Sequence, residues 1–327
     1  MMHVIARGGL LANLVPGLDH QDHPLLTLVA KGTWAFGDGR LRPVAEDQRL
    51  PFQTGPLHAG EPASTSLRWA GDGAPQIPGT DVVVLGEALS LRPVPQVLAS
   101  IQVGSAQQSL LLHGTRRWEQ GLFGWKQTPA QTAMRFPLGW EHAVGGVDKK
   151  GRACPRNPIG RGWAVPIAHG ELPSIDDPRA PYAAPGDRPE PVNTGFVAPA
   201  WQPRLGFAGT YDDAWSTQRA PLLPVDFDPR FHRVAAGPLA LQAPLPPGAA
   251  VQLSGFTAVG RESFALPAGS PRGILRLQGR DVPAPMTLAT LAIMPADGLV
   301  VLTWKATVRA EATDCAIAWV LWDGPQP

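Results

Sequence analysis

Cysteine, lysine, tyrosine, net charge and long apolar runs are all scarce in this chain of 327 residues. Cys154 and Cys315 are its only cysteines and lie far apart, which excludes a disulfide framework and fits a reducing cytoplasm. No apolar run is long enough to cross a bilayer as a helix. The opening MMHVIARGGLLANLVPG has one early Arg and an interrupted apolar stretch without a small-residue cleavage site, so it does not read as a secretory signal. A formal net charge of +1 supplies no field to draw nucleic acid or an anionic membrane. A cytoplasmic chain with neither as partner is the expectation.

Glycine and proline are abundant instead: 36 and 37 residues, about 22% of the chain. Their backbone restrictions disfavour long helices and favour short strands joined by turns. Apolar content of 44% with 17% charged residues is that of a globular protein. Only five of the 28 basic residues are Lys. Arg makes bidentate and stacked contacts suited to polar protein–protein surfaces, although a genome-wide bias toward Arg accounts for the excess equally. Eleven Trp stand against two Tyr.

The fold class expected is mainly β with little helix: short antiparallel strands in sandwich- or barrel-like sheets at both ends, and a long loop-rich Pro/Gly/Trp centre. Residues 1–120 form an N-terminal β region, 121–247 the loop-rich region, and 248–327 a C-terminal β region that packs with the N-terminal sheet. Strand patterns run through residues 23–36 with a hairpin partner at 40–44, 80–91 with Gly86 as a bulge, and 98–103 with 109–119. In the last third they run through 251–258, 263–266, 274–278 and 315–322. The clearest hairpin joins 287–294 to 299–308 across a Pro-Ala-Asp-Gly turn. No fixed-period repeat is present. Within the centre, Asp212 is placed to cap two helical turns that Pro221 ends. Trp34, Trp304, Trp319 and Trp322 fall in strands as core residues. Trp118, Trp125, Trp140, Trp163, Trp201 and Trp215 fall in loop-rich stretches, as anchors or partner contacts.

Chemistry-bearing clusters are sparse. Asp19, His20, Asp22 and His23 resemble half a metal site, but no further His or Cys pair has suitable spacing, and a solvated turn is the better account. Cys154 has basic neighbours and no catalytic His placed by motif. Asp226 and Asp228 flank Phe227 and invite a carboxylate-pair hydrolase reading. Pro229, Arg230 and Asp213 beside them argue for ion pairs and turn hydrogen bonds instead. Gly145-Gly146 and Gly160/Gly162 lack the strand-to-helix context of a phosphate cradle. No cofactor is expected.

Several longer motifs, taken in order, do carry a resemblance. They are KGTWAF (31–36), PGTDVVVLGEA (78–88), GTRRWE (114–119), FPLGWEHAVGGVD (136–148), RNPIGRGW (156–163), LPSIDDPR (172–179) and FVAPAWQPRLGFAGTYDDAW (196–215), followed by LLPVDFDPRF. Together the chain resembles the bacterial domain-of-unknown-function family numbered 2169, which is linked to type VI secretion. The resemblance implies a non-catalytic cytoplasmic adaptor or chaperone. Its implied partners are a secreted effector, often one with a PAAR-repeat region, and the VgrG spike protein onto which the effector is loaded. Trp140, Gly145, Gly146, Asn157, Pro158, Gly160, Gly162, Asp212, Asp226 and Asp228 are the motif residues expected to determine structure. Trp201, Tyr211, Trp215, Arg219 and Arg230 form the expected partner-binding patch. Two alternatives stand beside this reading: a carbohydrate-active hydrolase using Asp226 and Asp228, and a structural component retained in the spike.

Overall fold

Two strands from opposite ends of the chain form the spine of the molecule. Pro24–Gly37 and Leu299–Arg309 pair antiparallel over 11 registered positions, Leu25 against Arg309 through Ala35 against Leu299. In the computed structural model, which describes residues 3–44, 52, 55–164, 166 and 168–324, this pair is central to a seven-stranded sheet. Its order is Ala240–Leu241, Thr80–Val84, Thr287–Met294, Leu299–Arg309, Pro24–Gly37, Leu11–Leu18, with Arg40–Pro43 also on Pro24–Gly37. All neighbours are antiparallel except Thr80–Val84 and Thr287–Met294.

A five-stranded antiparallel sheet runs Ile175–Asp176, Ala106–His113, Gln96–Val103, Ala250–Ser254, Arg261–Ala265. A four-stranded sheet runs His3–Arg7, Cys315–Leu321, Arg272–Leu277, Arg280–Pro285. In each of the three sheets a strand from the first third pairs with one from the last. The architecture is mainly β, and the only α-helix among the described residues is Asp213–Gln218.

The two faces of the spine differ because the side-chain period of a strand is two. Leu26, Leu28, Ala30 and Trp34 share one face with Val300, Leu302, Trp304 and Ala306, all buried. Trp34 meets Trp304 at 5.8 Å and Trp322 at 6.2 Å between ring centroids, both edge-on, a favourable arrangement for aromatic quadrupoles. Trp322 follows Cys315–Leu321, so this face carries the four-stranded sheet. The other face presents Thr27, Lys31, Thr33, Thr303 and Lys305, buried as well. Loops cover it, and Gln76 is hydrogen-bonded by its backbone N–H to Thr307 Oγ1 at 2.8 Å. One core joins Leu28, Val83, Ile101, Trp140, Phe196, Leu253 and Trp304, so the loop-rich centre shares the interior of both ends.

Three expectations need correction. Residues 80–91 are not one bulged strand: the chain turns at Gly86 (φ +84°), and Glu87–Val94 leaves to pair with Ala133–Pro137. Strand character at 109–119 stops at His113 and resumes at Trp118–Gly121, which pairs with Gly124–Gln127. Trp319 is half-buried under the Arg276 guanidinium, 5.0 Å from the ring centroid, and is not a core residue.

Candidate functional site

Seven motif residues of the centre come together around Asn157, which is fully buried. Its Nδ2 donates to the carbonyls of Trp140 and Val144, both at 2.8 Å, and its own carbonyl accepts from Gly146 N at 2.8 Å. The backbones pack so closely that a Cβ on Gly145 (φ +148°) would lie 2.2 Å from Asn157 O, and one on Gly160 would lie 2.6 Å from Ala143 O. Only glycine fits such an approach. Val144–Gly145 pairs with Arg161–Gly162, and Tyr182 Oη donates to Gly162 O at 3.1 Å. Trp140 Nε1 donates to Phe196 O at 3.0 Å and its ring meets Trp201 edge-on at 5.9 Å. Pro158 follows Asn157 half-buried. These residues tie three loops to the core.

The segment from Gly209 onward is held by its own polar groups. Asp212 caps Asp213–Gln218, accepting from Trp215 N at 2.8 Å. Asp226 accepts from Thr210 N at 2.9 Å and Thr210 Oγ1 at 2.8 Å. Asp228 accepts from the N–H and Nε of Arg230, each at 2.8 Å. Thr210 and Arg230 thereby hold the two carboxyls below the ordinary carboxylate range. A glycosidase needs one acid of raised pKa, and neither carboxyl of this pair supplies it.

Of the residues expected to form a partner patch, Tyr211, Trp215 and Arg219 are contiguous, with Arg219 N donating to Trp215 O at 2.9 Å. Trp201 is 6% exposed and belongs to the core. Arg219 is bound to both Asp22 oxygens, at 3.0 and 2.9 Å, and to His20 O at 3.0 Å, which pins the Asp19–His23 turn to this segment. Arg230 is paired with Asp228 and lies 4.3 Å over the Phe207 ring. Tyr211 is exposed and Trp215 half-exposed, their rings 4.6 Å apart.

Two exposed apolar residues escaped the sequence reading. Leu122 and Phe123 are 98% and 104% exposed at the tip of the hairpin formed by Trp118–Gly121 and Gly124–Gln127. The hairpin is anchored at its base, where Trp118 is buried against Tyr182 at 6.2 Å. The signal was an apolar pair in a two-residue loop, a place where polar turn residues are the rule.

A second missed feature lies on the Thr/Lys face of the central sheet, in a cavity of about 210 Å³. Lys31 Nζ pairs with Asp72 Oδ2 at 2.5 Å and sits 4.9 Å from the Trp69 ring centroid. Arg233 Nη1 pairs with Asp81 Oδ1 at 3.2 Å, and Val234 N donates to Asp81 Oδ2 at 2.8 Å. Lys305 Nζ donates to Ala74 O at 2.9 Å, and Arg204 donates to Phe231 O at 2.8 Å and Val197 O at 2.7 Å. Burial governs the titrations. It pushes Lys305 down to about 8 against the pull of Asp72 and Asp81, and Arg204 down to about 10. Burial, with the charges of Lys305 and Arg204, holds His232 down at about 4. Burial also raises Asp81. Lys31 and Lys305, two of only five lysines, are each the single lysine of a mostly apolar strand. Pairing Lys31 with Thr303, two residues from Lys305, puts both on one face.

Among the described residues no group of three or more His, Cys, Asp or Glu is placed to hold a metal ion. Asp19 is committed to its own turn: burial raises it, but the N–H groups of His23 and Gln21 and the His23 ring outweigh that and hold it at about 2. Both cysteines are buried, and burial pushes their thiols up, away from the reactive range. No helix among the described residues is long and apolar enough to cross a membrane. No curated protein and no solved structure matches the chain. One family description, "Uncharacterized protein conserved in bacteria (DUF2169)", matches residues 21–305, from just before the first spine strand to within the second. By that match the chain belongs to the DUF2169 family.

Proposed function

We propose that this chain is a cytoplasmic, non-catalytic adaptor that holds a secreted type VI effector and assists its loading onto the VgrG/PAAR spike. The observation that supports the reading best is the Leu122-Phe123 tip, two large apolar side chains fully in water on a rigidly based hairpin. Such side chains gain most from burial in a partner's pocket: about 1.5–3 kcal/mol each on apolar area alone. An anchor of this kind shields an apolar patch of the effector until assembly, and binding shifts the effector toward its loading-competent state. Tyr211 and Trp215 offer a second aromatic contact.

Fractionation separates this reading from a retained spike component. With the secretion system firing, an effector that co-purifies with this chain is expected in the medium and this chain in the producing cell, bound to residual effector. Recovery of both from the medium in equal amounts would make it a component instead.

A further inference from the structure

Among the described residues that line the cavity on the Thr/Lys face, three cations, Arg204, Arg233 and Lys305, stand against two carboxylates, Asp72 and Asp81. Lys31 has Asp72 and Arg233 has Asp81. Lys305 and Arg204, buried as they are, form no ion pair among the described residues: each donates only to main-chain carbonyls there, Arg204 Nη2 donates to nothing, and the charges of Asp81 on both and of Asp72 on Lys305 act through space. Buried cations are ordinarily paired, because desolvation without a counter-charge is costly. Both line the cavity together with His232, whose neutral ring lies within the field of each. Among the described residues, Asp72, Asp81 and Lys31 act on Lys305, Lys305 in turn acts on His232, and Arg204 and Arg233 line the same space. We propose that this cavity is a binding site for a carboxylate bearing a small apolar group, its anion seated on Lys305 and Arg204.

The walls select within the anions. Trp69, Phe196, Leu67 and Ile77 line the space and suit an apolar substituent. A cavity of about 210 Å³ exceeds the roughly 150 Å³ that suffices for a benzene-sized guest, which leaves room for a short-chain acid or the last residue of a peptide. The carboxylates of Asp72 and Asp81 nearby oppose a second negative charge, which disfavours a phosphate dianion. The site stands independently of the adaptor reading.

Lys305 gives the site a pH signature. Its amine titrates near 8 in the fold and near 10.5 when unfolded, so the unfolded chain binds the extra proton between those values. Ligand-free stability should therefore rise from pH 8 to pH 10.5, while carboxylate affinity should fall above pH 8 as the cation is lost. The test is a thermal-shift and tryptophan-fluorescence titration of the whole protein with propionate, inorganic phosphate, and a short peptide as free acid and as C-terminal amide. Saturable stabilisation by propionate, weaker stabilisation by phosphate, and an affinity about tenfold or more lower in Lys305→Met are expected. Lys305→Met should also lose the alkaline rise in melting temperature. A peptide acid that outcompetes propionate, with its amide inert, assigns the carboxylate to a protein C-terminus; a propionate-only response assigns it to a free small acid. No saturable response of the wild-type protein, tighter binding of phosphate, or unchanged affinity in Lys305→Met would overturn the site.

Discussion

Alanine at Gly145 is expected to cost more than about 4 kcal/mol and to leave little soluble protein, because two penalties coincide there. The new Cβ would stand 2.2 Å from the carbonyl oxygen of Asn157. That oxygen is fixed by Gly146 N at 2.8 Å, and the Asn157 side chain by two further hydrogen bonds, so nothing can retreat cheaply. The backbone at φ +148° adds strain for any L residue. Gly151 supplies the control: its φ is +77° and nothing lies near its Cβ position, so alanine there should cost only about 1–2 kcal/mol. Urea melts of the two variants separate close approach from backbone conformation. Equal, small losses would mean that the loops around Asn157 are not a structural knot.

Asp72→Ala is expected to destabilise by about 3–5 kcal/mol, the usual result of removing one partner from a buried ion pair. The side chains of Lys31 and Asp72 are 1% and 5% exposed, so solvent replaces little of what the carboxylate supplied. Asp72 also stabilises the charged form of Lys305 across the same space. The double variant Lys31→Met/Asp72→Ala should recover much of the loss, since it removes the buried cation together with its counter-charge. Equilibrium denaturation of the three variants checks this. A single-variant cost under about 1 kcal/mol, or no recovery in the double variant, would mean that the pair does not govern this face.

What was legible in the sequence follows from how local each determinant is. The hairpin Thr287–Met294/Leu299–Arg309 has alternation, β-branched residues and a turn signal within one short stretch. The helix at Asp213–Gln218 was equally plain, because its cap and stop are its own neighbours. His3–Arg7 and Leu11–Leu18 were missed: Gly8 and Gly9 break the apolar stretch between them, and the first exists by parallel pairing to Cys315–Leu321, more than 300 residues away. Trp201 was assigned to a surface because a loop aromatic serves as anchor or as contact, and only the packing against Trp140 decides between them. The cavity was invisible for a related reason. Lys31 and Lys305 are each the single lysine of a mostly apolar strand, and only the register of the spine makes them neighbours. Leu122 and Phe123 were readable, but they fall in the 121–247 stretch read only as loop-rich.

The adaptor reading reduces to whether the hairpin tip is where a partner docks. Isothermal calorimetry of an effector that co-purifies with this chain, against the wild type and against Leu122→Ser/Phe123→Ser, measures it directly. Two apolar anchors at about 2 kcal/mol each predict an affinity lower by nearly a thousandfold in the double variant. Its melting temperature should not change, since both side chains are fully exposed. Equal affinity in the two proteins, with the fold intact, would contradict it.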